Sequence, residues 1–537
     1  MNPPPSAPRR IVNIVNFIRY DEPRRPGRDL LEPVIRQMEL LKAAGLPCTW
    51  LLQFDALVAG PYVEFLKANM PANHEVGLWF ELNRMHCEAA GVAFRGAEGL
   101  NWDYHVQAAF SVGYTPGDRD KLADTAVEHF KRVFGQGPRV VAAWYIDAHT
   151  LGRLSRLHGV EAFAICRDQY GTDGYTFWGG PFAGGYYPSS RNTLCPAQTP
   201  DEQIDTPVFR LLGSDPIHQY DLNLGQAVQD VLTLEVIYAK GGKSPVWVRR
   251  FLDYLSHCPA LGFAYAQGGQ ENSFGWDNMK EGYPMQVEEF ARRHESGELD
   301  VETLSDTGRW FRETYPMTPP QATVALEDTL GGDRKSAWYH SRYYRLNLLL
   351  EENRLYLRDL HLFDERYAEH YDTSVCDTHA ARFDTLPLLD GFGWSASRDD
   401  RALGHWYTRT SNGEEDLELE LAGVPDVAID EESETLKLSF ALSDGDTLFL
   451  RAAEQSLTAR LKSGRPLALC IRWSTEGIAP APSPRLEADK ISYVHRGFPY
   501  ALKLPQGTAS MPDSTTTGYA LSSSPEGTLE LRFSAHP

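Results

Sequence analysis

RRIVNIVNFIRYDEP, Arg9–Pro23, is the stretch on which the fold turns. Ile11, Val12, Ile14, Val15 and Phe17 give it the β-branched and aromatic content of a strand. The apolar run Ile11–Ile18 is short and holds Asn13 and Asn16, so it reads as a strand and not as the apolar region of a signal peptide. Charged side chains come directly after it: Arg19, Asp21 and Glu22. In sheets of parallel strands, ligands bind at the carboxyl ends, so chemistry is sought in the residues just past each strand.

Working outward, the next ~150 residues alternate between the two periodicities. Asp29–Ala44 has apolar residues at helical spacing and stops at Gly45. Thr49–Phe54 is a strand, Pro61–Asn69 a helix and Val76–Phe80 a strand. Arg119–Phe134 is a helix, Arg139–Ile146 a strand, Thr150–Leu157 a helix and Gly159–Ile165 a strand. This alternation predicts a parallel sheet, open or closed into a barrel. Gly171–Ser190, rich in Gly and aromatics, reads as a loop that presents rings at a pocket, with Trp178 and Tyr187 among them. Leu222–Lys240, Val246–Leu255, Tyr283–His294 and Val301–Thr314 read as helices, and Gly262–Ala266 as a late strand ending in QGGQENSFGWDN, Gln267–Asn278.

Beyond ~320 the texture changes to short alternating runs split by Gly, Asp and Ser, among them Leu417–Leu421, Leu436–Ala441, Thr447–Arg451, Ala468–Arg472 and Leu529–Phe533. Tyr344–Leu350 and Arg354–Leu360 read as a hairpin. The organisation expected is a catalytic barrel over residues 1–320, a connecting hairpin and helical segment over 321–384, and an all-β sandwich over 385–537.

Bulk properties narrow the function. The 537 residues carry 73 acidic and 52 basic side chains, a net charge of −21, which opposes nucleic acid as a partner and suits a neutral substrate. No stretch approaches the ~18 apolar residues of a membrane span. Seven scattered cysteines without a CxxC pair read as reduced thiols of a cytoplasmic protein. GxSxG, Walker and HExxH motifs are absent.

Four constellations lie just past predicted strands. FIRYDEP brings Arg19, Asp21 and Glu22; HEVGLWFELN, His74–Asn83, brings Trp79 and Glu81; AAWYIDAHT, Ala142–Thr150, brings Trp144 and Asp147; and QGGQENSFGWDN brings Glu271, Trp276 and Asp277. A carboxylate beside an indole suits a sugar site, because the ring stacks on the sugar's C–H face and apolar packing raises the acid's pKa. Asp147 reads equally as a helix N-cap.

The order of these elements over Ile11–Arg191 resembles the NodB-type polysaccharide deacetylase superfamily, whose distorted (β/α)7 barrel is similar to that of glycoside hydrolase families 38 and 57. The resemblance rests on the acidic motif after the first strand, the aromatic strand CTWLLQF (Cys48–Phe54), the HEVG phrase, Ser111–Gly113, a long helix ending in Phe134 and Gly135, and the Trp144–Asp147 phrase. It implies a distorted (β/α)7 barrel followed by the sandwich. Those deacetylases hold a divalent metal with an acidic-motif Asp and two histidines after the HEVG-like phrase; here Trp79–Asn83 supplies none. No metal and no cofactor is therefore expected. The Trp-x-x-Asp phrase is similar to that of family 38, in which the aspartate is the nucleophile, and this implies that role for Asp147.

The expectation is a metal-independent glycoside hydrolase acting on an oligosaccharide or glycoside. Asp147 would be its nucleophile or base and Glu271 or Glu81 its acid. Arg19, Asp21, Glu22, Trp79, Trp144, Trp178, Tyr187, Trp276 and Asp277 would bind sugar. Two alternatives stand beside it: a carbohydrate deacetylase or esterase with an atypical metal site, and a non-catalytic carbohydrate-binding protein. Self-association is left open.

Overall fold

The strand Arg9–Ile18 (β1) is buried from Ile11 onward, as a central parallel strand covered on both faces must be. The computed structural model describes residues 8–182, 184–409, 416–511 and 517–534, so residues 1–7 of the N-terminal lead-in and residue 183 of the Gly-rich loop lie outside it. Beside β1 run Cys48–Leu52 (β2), His74–Trp79 (β3), Val140–Ala142 (β4) and Ala162–Cys166 (β5), each parallel to the one before. Val208–Leu211 continues beyond β5, and Phe263–Gly268 lies on the other side of β1, both parallel. Seven parallel strands thus form one curved sheet. Asp300–Glu302 adds a short parallel strand beside the first half of β1, and Gly185–Tyr186 an antiparallel one at the far edge.

The two ends of this sheet meet without a strand ladder among the described residues. Leu212 N donates to Gln267 Oε1 at 2.7 Å, and the rings of Phe209 and Tyr265 lie 5.2 Å apart. The expected barrel is therefore a curled sheet with a side-chain seam between Val208–Leu211 and Phe263–Gly268. The asparagines that interrupt β1 bind neighbouring elements. Asn16 Oδ1 accepts from Gln270 N at 3.0 Å and from Gln37 Nε2 at 3.1 Å. Asn13 Nδ2 donates to Thr307 Oγ1 at 2.8 Å. These bonds satisfy Asn16 Oδ1 and Asn13 Nδ2, which the core would otherwise leave unpaired.

Helices fill the predicted places: Leu31–Ala44, Tyr62–Asn69, Pro116–Phe134, Ala148–His158, Pro245–His257 and Gly282–Glu295. Gly45, with φ of 67°, closes the first of them in the left-handed conformation. Two expectations need correction. Leu222–Lys240 is irregular, not helical, and Val301–Thr314 divides into the strand Asp300–Glu302 and the helix Leu304–Thr314.

The C-terminal sandwich consists of two antiparallel sheets. One runs Ala260–Leu261, Gln321–Ala325, Lys335–His340, Tyr344–Glu351, Arg354–Leu362, Leu403–Arg409, Leu467–Arg472, Gly518–Ser522 and Thr508–Ser510. The other spans Asp426–Asp430 to Thr528–Arg532 in eight strands. Leu346, Leu348, Leu357, Trp406, Leu438, Leu450 and Leu469 share the core between them. The sandwich therefore begins near 321, not at 385; segment 321–384 supplies strands of its first sheet, and none of it is helical. The expected hairpin is present, and Glu352 and Asn353 turn it with φ of 52° and 57°.

Sheet and sandwich are joined through buried charge. Arg345 donates to both oxygens of Asp359 at 2.8 Å and also to Asp168, which accepts from Arg210 at 3.0 Å. Asp168 lies just past β5, and Arg345 belongs to the sandwich. The strand Ala381–Asp384 also pairs in parallel with Tyr175–Trp178 of the Gly-rich loop. Among the described residues no helix is long and apolar enough to cross a membrane.

Candidate active site

The carboxyl ends of the parallel strands open into a cleft of about 150 Å³. Arg19 after β1, Glu81 after β3, Trp144 after β4, Arg167 after β5, Leu212 after Val208–Leu211 and Glu271 after Phe263–Gly268 all line it. The strand-end rule thus holds for six strands of one sheet.

Arg19 is the hub. Its Nη2 donates to Glu81 Oε2 at 2.6 Å, and its Nη1 donates to Glu271 Oε2. Its backbone is clamped by Asn272, whose Oδ1 accepts from Arg19 N and whose Nδ2 donates to Arg19 O, both at 2.9 Å. Burial works against the guanidinium's charge, yet Glu271 and Glu81 raise its pKa above the ordinary arginine value. Trp79 Nε1 donates to Glu81 Oε2 at 2.8 Å. The Trp79 ring stacks on Phe17 at 3.8 Å and meets Trp144 edge-on at 5.2 Å. Trp79 therefore stands behind the cleft, and Trp144 faces it.

Glu271 owes its position to Gly269, whose φ is 101° and whose Cβ would stand 2.2 Å from Val15 O. Only glycine lets the chain turn that close to β1. Ser273 Oγ donates to Glu271 Oε1 at 2.6 Å. Burial raises the Glu271 pKa against the opposing charge of Arg19.

Glu235 is a carboxyl group that the sequence did not single out. It sits in the irregular segment expected to be a helix. That segment is held by Leu234 N donating to Leu212 O at 3.3 Å, Val236 N to Gln270 Oε1 at 3.1 Å and Gln286 Nε2 to Leu234 O at 2.7 Å. Gly242 allows the close packing, since a Cβ there would lie 2.3 Å from Glu235 O. Burial, and next the charge of Glu271, push the Glu235 pKa up to about 7. Arg167 was also missed, although it lies just past a predicted strand as Arg19 and Glu81 do. Trp102, Tyr104, Phe110, Tyr175 and Phe274 complete the aromatic walls.

The other expected residues fall outside the cleft. Asp147 is the N-cap of Ala148–His158: its carboxylate accepts from Thr150 N at 3.0 Å, Thr150 Oγ1 at 2.7 Å, Arg119 Nη1 at 3.2 Å and Ser111 Oγ. Burial would raise its pKa, but Arg119 and these donors bring it below the ordinary value. A buried carboxylate so occupied has no lone pair facing substrate, so the nucleophile role implied by the family 38 phrase is not supported. Asp21 also does not line the cleft, so of Asp21, Glu81, Asp147 and Glu271 only Glu81 and Glu271 share it. Glu22 lies behind, gripping Arg24 at 2.9 Å. Trp178 packs edge-on against Tyr170, near Tyr220 and Phe392, at the junction with the sandwich. Tyr187 spends its hydroxyl on Tyr315 O at 2.8 Å. Trp276 starts a short helix away from the cleft, and Asp277, its side chain 93% exposed, pairs with Lys280. Among the described residues no three His, Cys, Asp or Glu side chains converge as a metal-holding group. The deacetylase metal set is thus not reproduced by the residues present.

No protein-family model and no curated protein matches the chain. Solved structures do. A Parabacteroides distasonis protein described provisionally as a glycoside hydrolase/deacetylase is 15% identical, covering 71% of this chain and 92% of its own, with a TM-score of 0.49. A Mycobacterium smegmatis protein described provisionally as a polysaccharide deacetylase is 14% identical over 58% of this chain and 95% of its own, with a TM-score of 0.36. PuuE allantoinase is 14% identical over 59% and 96%, with a TM-score of 0.34. Likeness at this level does not define a reaction, since one architecture hosts unrelated chemistries.

Proposed function

We propose that the chain is a hydrolase of carbohydrate, cleaving a glycosidic bond with Glu235 and Glu271. One observation carries this reading: two carboxyl groups share one aromatic-walled cleft in environments that separate their roles. Glu235, at about 7, keeps its proton near neutrality. The guanidinium of Arg19 and the hydroxyl of Ser273 favour the ionised form of Glu271 against the burial that raises its pKa. Such a pair divides acid from base. Glu235 gives its proton to the departing glycosidic oxygen. Glu271 takes a proton from the water that adds to the anomeric carbon, or attacks that carbon itself. Arg19 orients Glu271 and Glu81 together.

A second reading is removal of an acyl group from a sugar. The observation favouring it is the guanidinium of Arg167, which lines the cleft without a carboxylate partner among the described residues and would stabilise the oxyanion of a tetrahedral intermediate. A panel of 4-nitrophenyl glycosides and per-acetylated monosaccharides tests both. Nitrophenol release that Glu235→Gln leaves largely intact and Glu271→Gln abolishes supports the first, because nitrophenol departs without a proton. Acetate release with no glycoside cleavage supports the second. If neither product forms above the uncatalysed rate, the hydrolase reading fails.

A further inference from the structure

We infer that the cleft takes a sugar bearing a carboxylate, with Arg167 as its anchor; this deepens the hydrolase reading and rests on it. Four arginines line the cleft, and three have explanations. Arg19 pairs with both Glu81 and Glu271. Arg24 is neutralised by Glu22. Arg25 stands 3.9 Å from Glu22, with its guanidinium 4.2 Å above the ring of Phe274. Arg167 differs. It is 2% exposed, yet its only hydrogen bond among the described residues runs from Nη1 to the adjoining carbonyl of Asp168. Its Nε is buried without an acceptor, and it pairs with no carboxylate there. Burial accordingly depresses its pKa.

A buried guanidinium without a carboxylate at salt-bridge distance is among the costlier arrangements in a protein interior. Its planar fork is shaped to receive two oxygens of one anion. Here Arg167 lines a cleft beside Glu235, so an anion bound in the cleft would give the guanidinium the partner that no carboxylate supplies. The charge balance limits that group. Glu235, Glu271 and Asp173 line the same cleft. A monoanion adds less repulsion there than a phosphate dianion would. A uronic acid has a monoanion on the sugar ring itself. The net charge of −21 opposes an anionic ligand at long range, and salt screens that repulsion beyond about 10 Å.

Calorimetric titration of the full chain with D-glucuronate, D-galacturonate, D-glucose, D-galactose and D-glucose 6-sulfate tests the inference. At least one uronate should bind about tenfold or more tightly than its neutral counterpart, the factor expected of a charge-assisted bond. Arg167→Met should erase that preference, and Arg167→Lys should restore part of it. Because Arg167 pairs with no carboxylate among the described residues, Arg167→Met should leave its Tm unchanged or raised; a lowered Tm would show a structural role and overturn the inference. Equal binding of neutral and acidic sugars, binding of the sulfate ester alone, or no binding of either uronate would also overturn it. These outcomes concern binding only, so they are separable from the turnover assays that decide the hydrolase reading.

Discussion

Glu235 and Asp147 show how differently two buried carboxyl groups behave. Glu235 needs its proton to act as an acid, and its pKa stands at about 7. The kcat/KM of the wild-type chain should therefore fall as pH rises through about 7, and Glu235→Gln should remove that limb along with most activity on glycosides with poor leaving groups. A profile flat to pH 9 would exclude Glu235 as the acid. Asp147 acts oppositely. Its folded pKa is depressed, so its stabilising contribution is present above the unfolded value and is lost as pH falls through the folded one. Asp147→Asn leaves Arg119 buried without its carboxylate and should cost about 3 kcal/mol or more in urea unfolding at pH 7. Activity per folded molecule should be unchanged. The strand-end rule found Arg19, Glu81, Trp144 and Glu271 because those positions are fixed by the backbone. It could not separate them from Asp147, because a strand-to-helix junction offers a carboxylate two uses, substrate or helix cap, and only Arg119 and Ser111, distant in sequence, decide.

At the level of elements, the segment over 364–376 crosses from the sandwich to the helix Ala148–His158 and buries Glu369 there. Tyr145 OH donates to it at 2.6 Å, Ala148 N at 3.0 Å and Thr193 N at 3.2 Å. Burial, then the charge of Asp147, raise its pKa to about 8. A carboxyl group raised in this way stabilises fully below its unfolded pKa near 4.5, and that contribution declines as pH rises through about 8. Glu369→Gln, which cannot ionise, should therefore lose less stability than wild type between pH 5 and 8. Thermal melts across that range check it; parallel pH curves would contradict it. Strands and helices were legible where periodicity was strong, as in Arg9–Ile18 and Pro116–Phe134. The Glu235 segment was not, because its apolar residues Leu232, Leu234 and Val236 suit either a helix or a pinned loop. What selects the loop is distant: Gln270, Gln286 and the closeness that Gly242 permits.

Over the whole molecule, the sandwich is an extension of the sheet domain. Its first sheet borrows Ala260–Leu261 from the N-terminal half, and Arg345 ties it to Asp168 through buried charge. A fragment of residues 385–537 lacks five strands of that sheet and leaves Leu403–Arg409 without its Arg354–Leu362 partner. It should show no cooperative unfolding on its own. Limited proteolysis of the full chain should likewise release no stable piece of that size. Arg345→Met strands Asp359 without its arginine and should lower the stability of both halves together, read as one shifted transition by tryptophan fluorescence and circular dichroism alike. The all-β texture was visible from short alternating runs, but the boundary at 321 was not, since pairing between distant strands leaves no mark in local composition.

The seam has a mechanical meaning. A ladder holds neighbouring strands at about 4.8 Å by bonds repeated along their length. The banks of the seam are instead tacked together, at Leu212 to Gln267 and at Val236 to Gln270, by bonds each worth about 1 kcal/mol. Glu235 hangs from one bank and Glu271 from the other. The gap between the acid and its partner is thus a soft dimension in an otherwise stiff frame. In the proposed glycosidase, retention and inversion would demand carboxyl separations of about 5–5.5 Å and about 6.5–9.5 Å, and these amide tacks would bear on the separation.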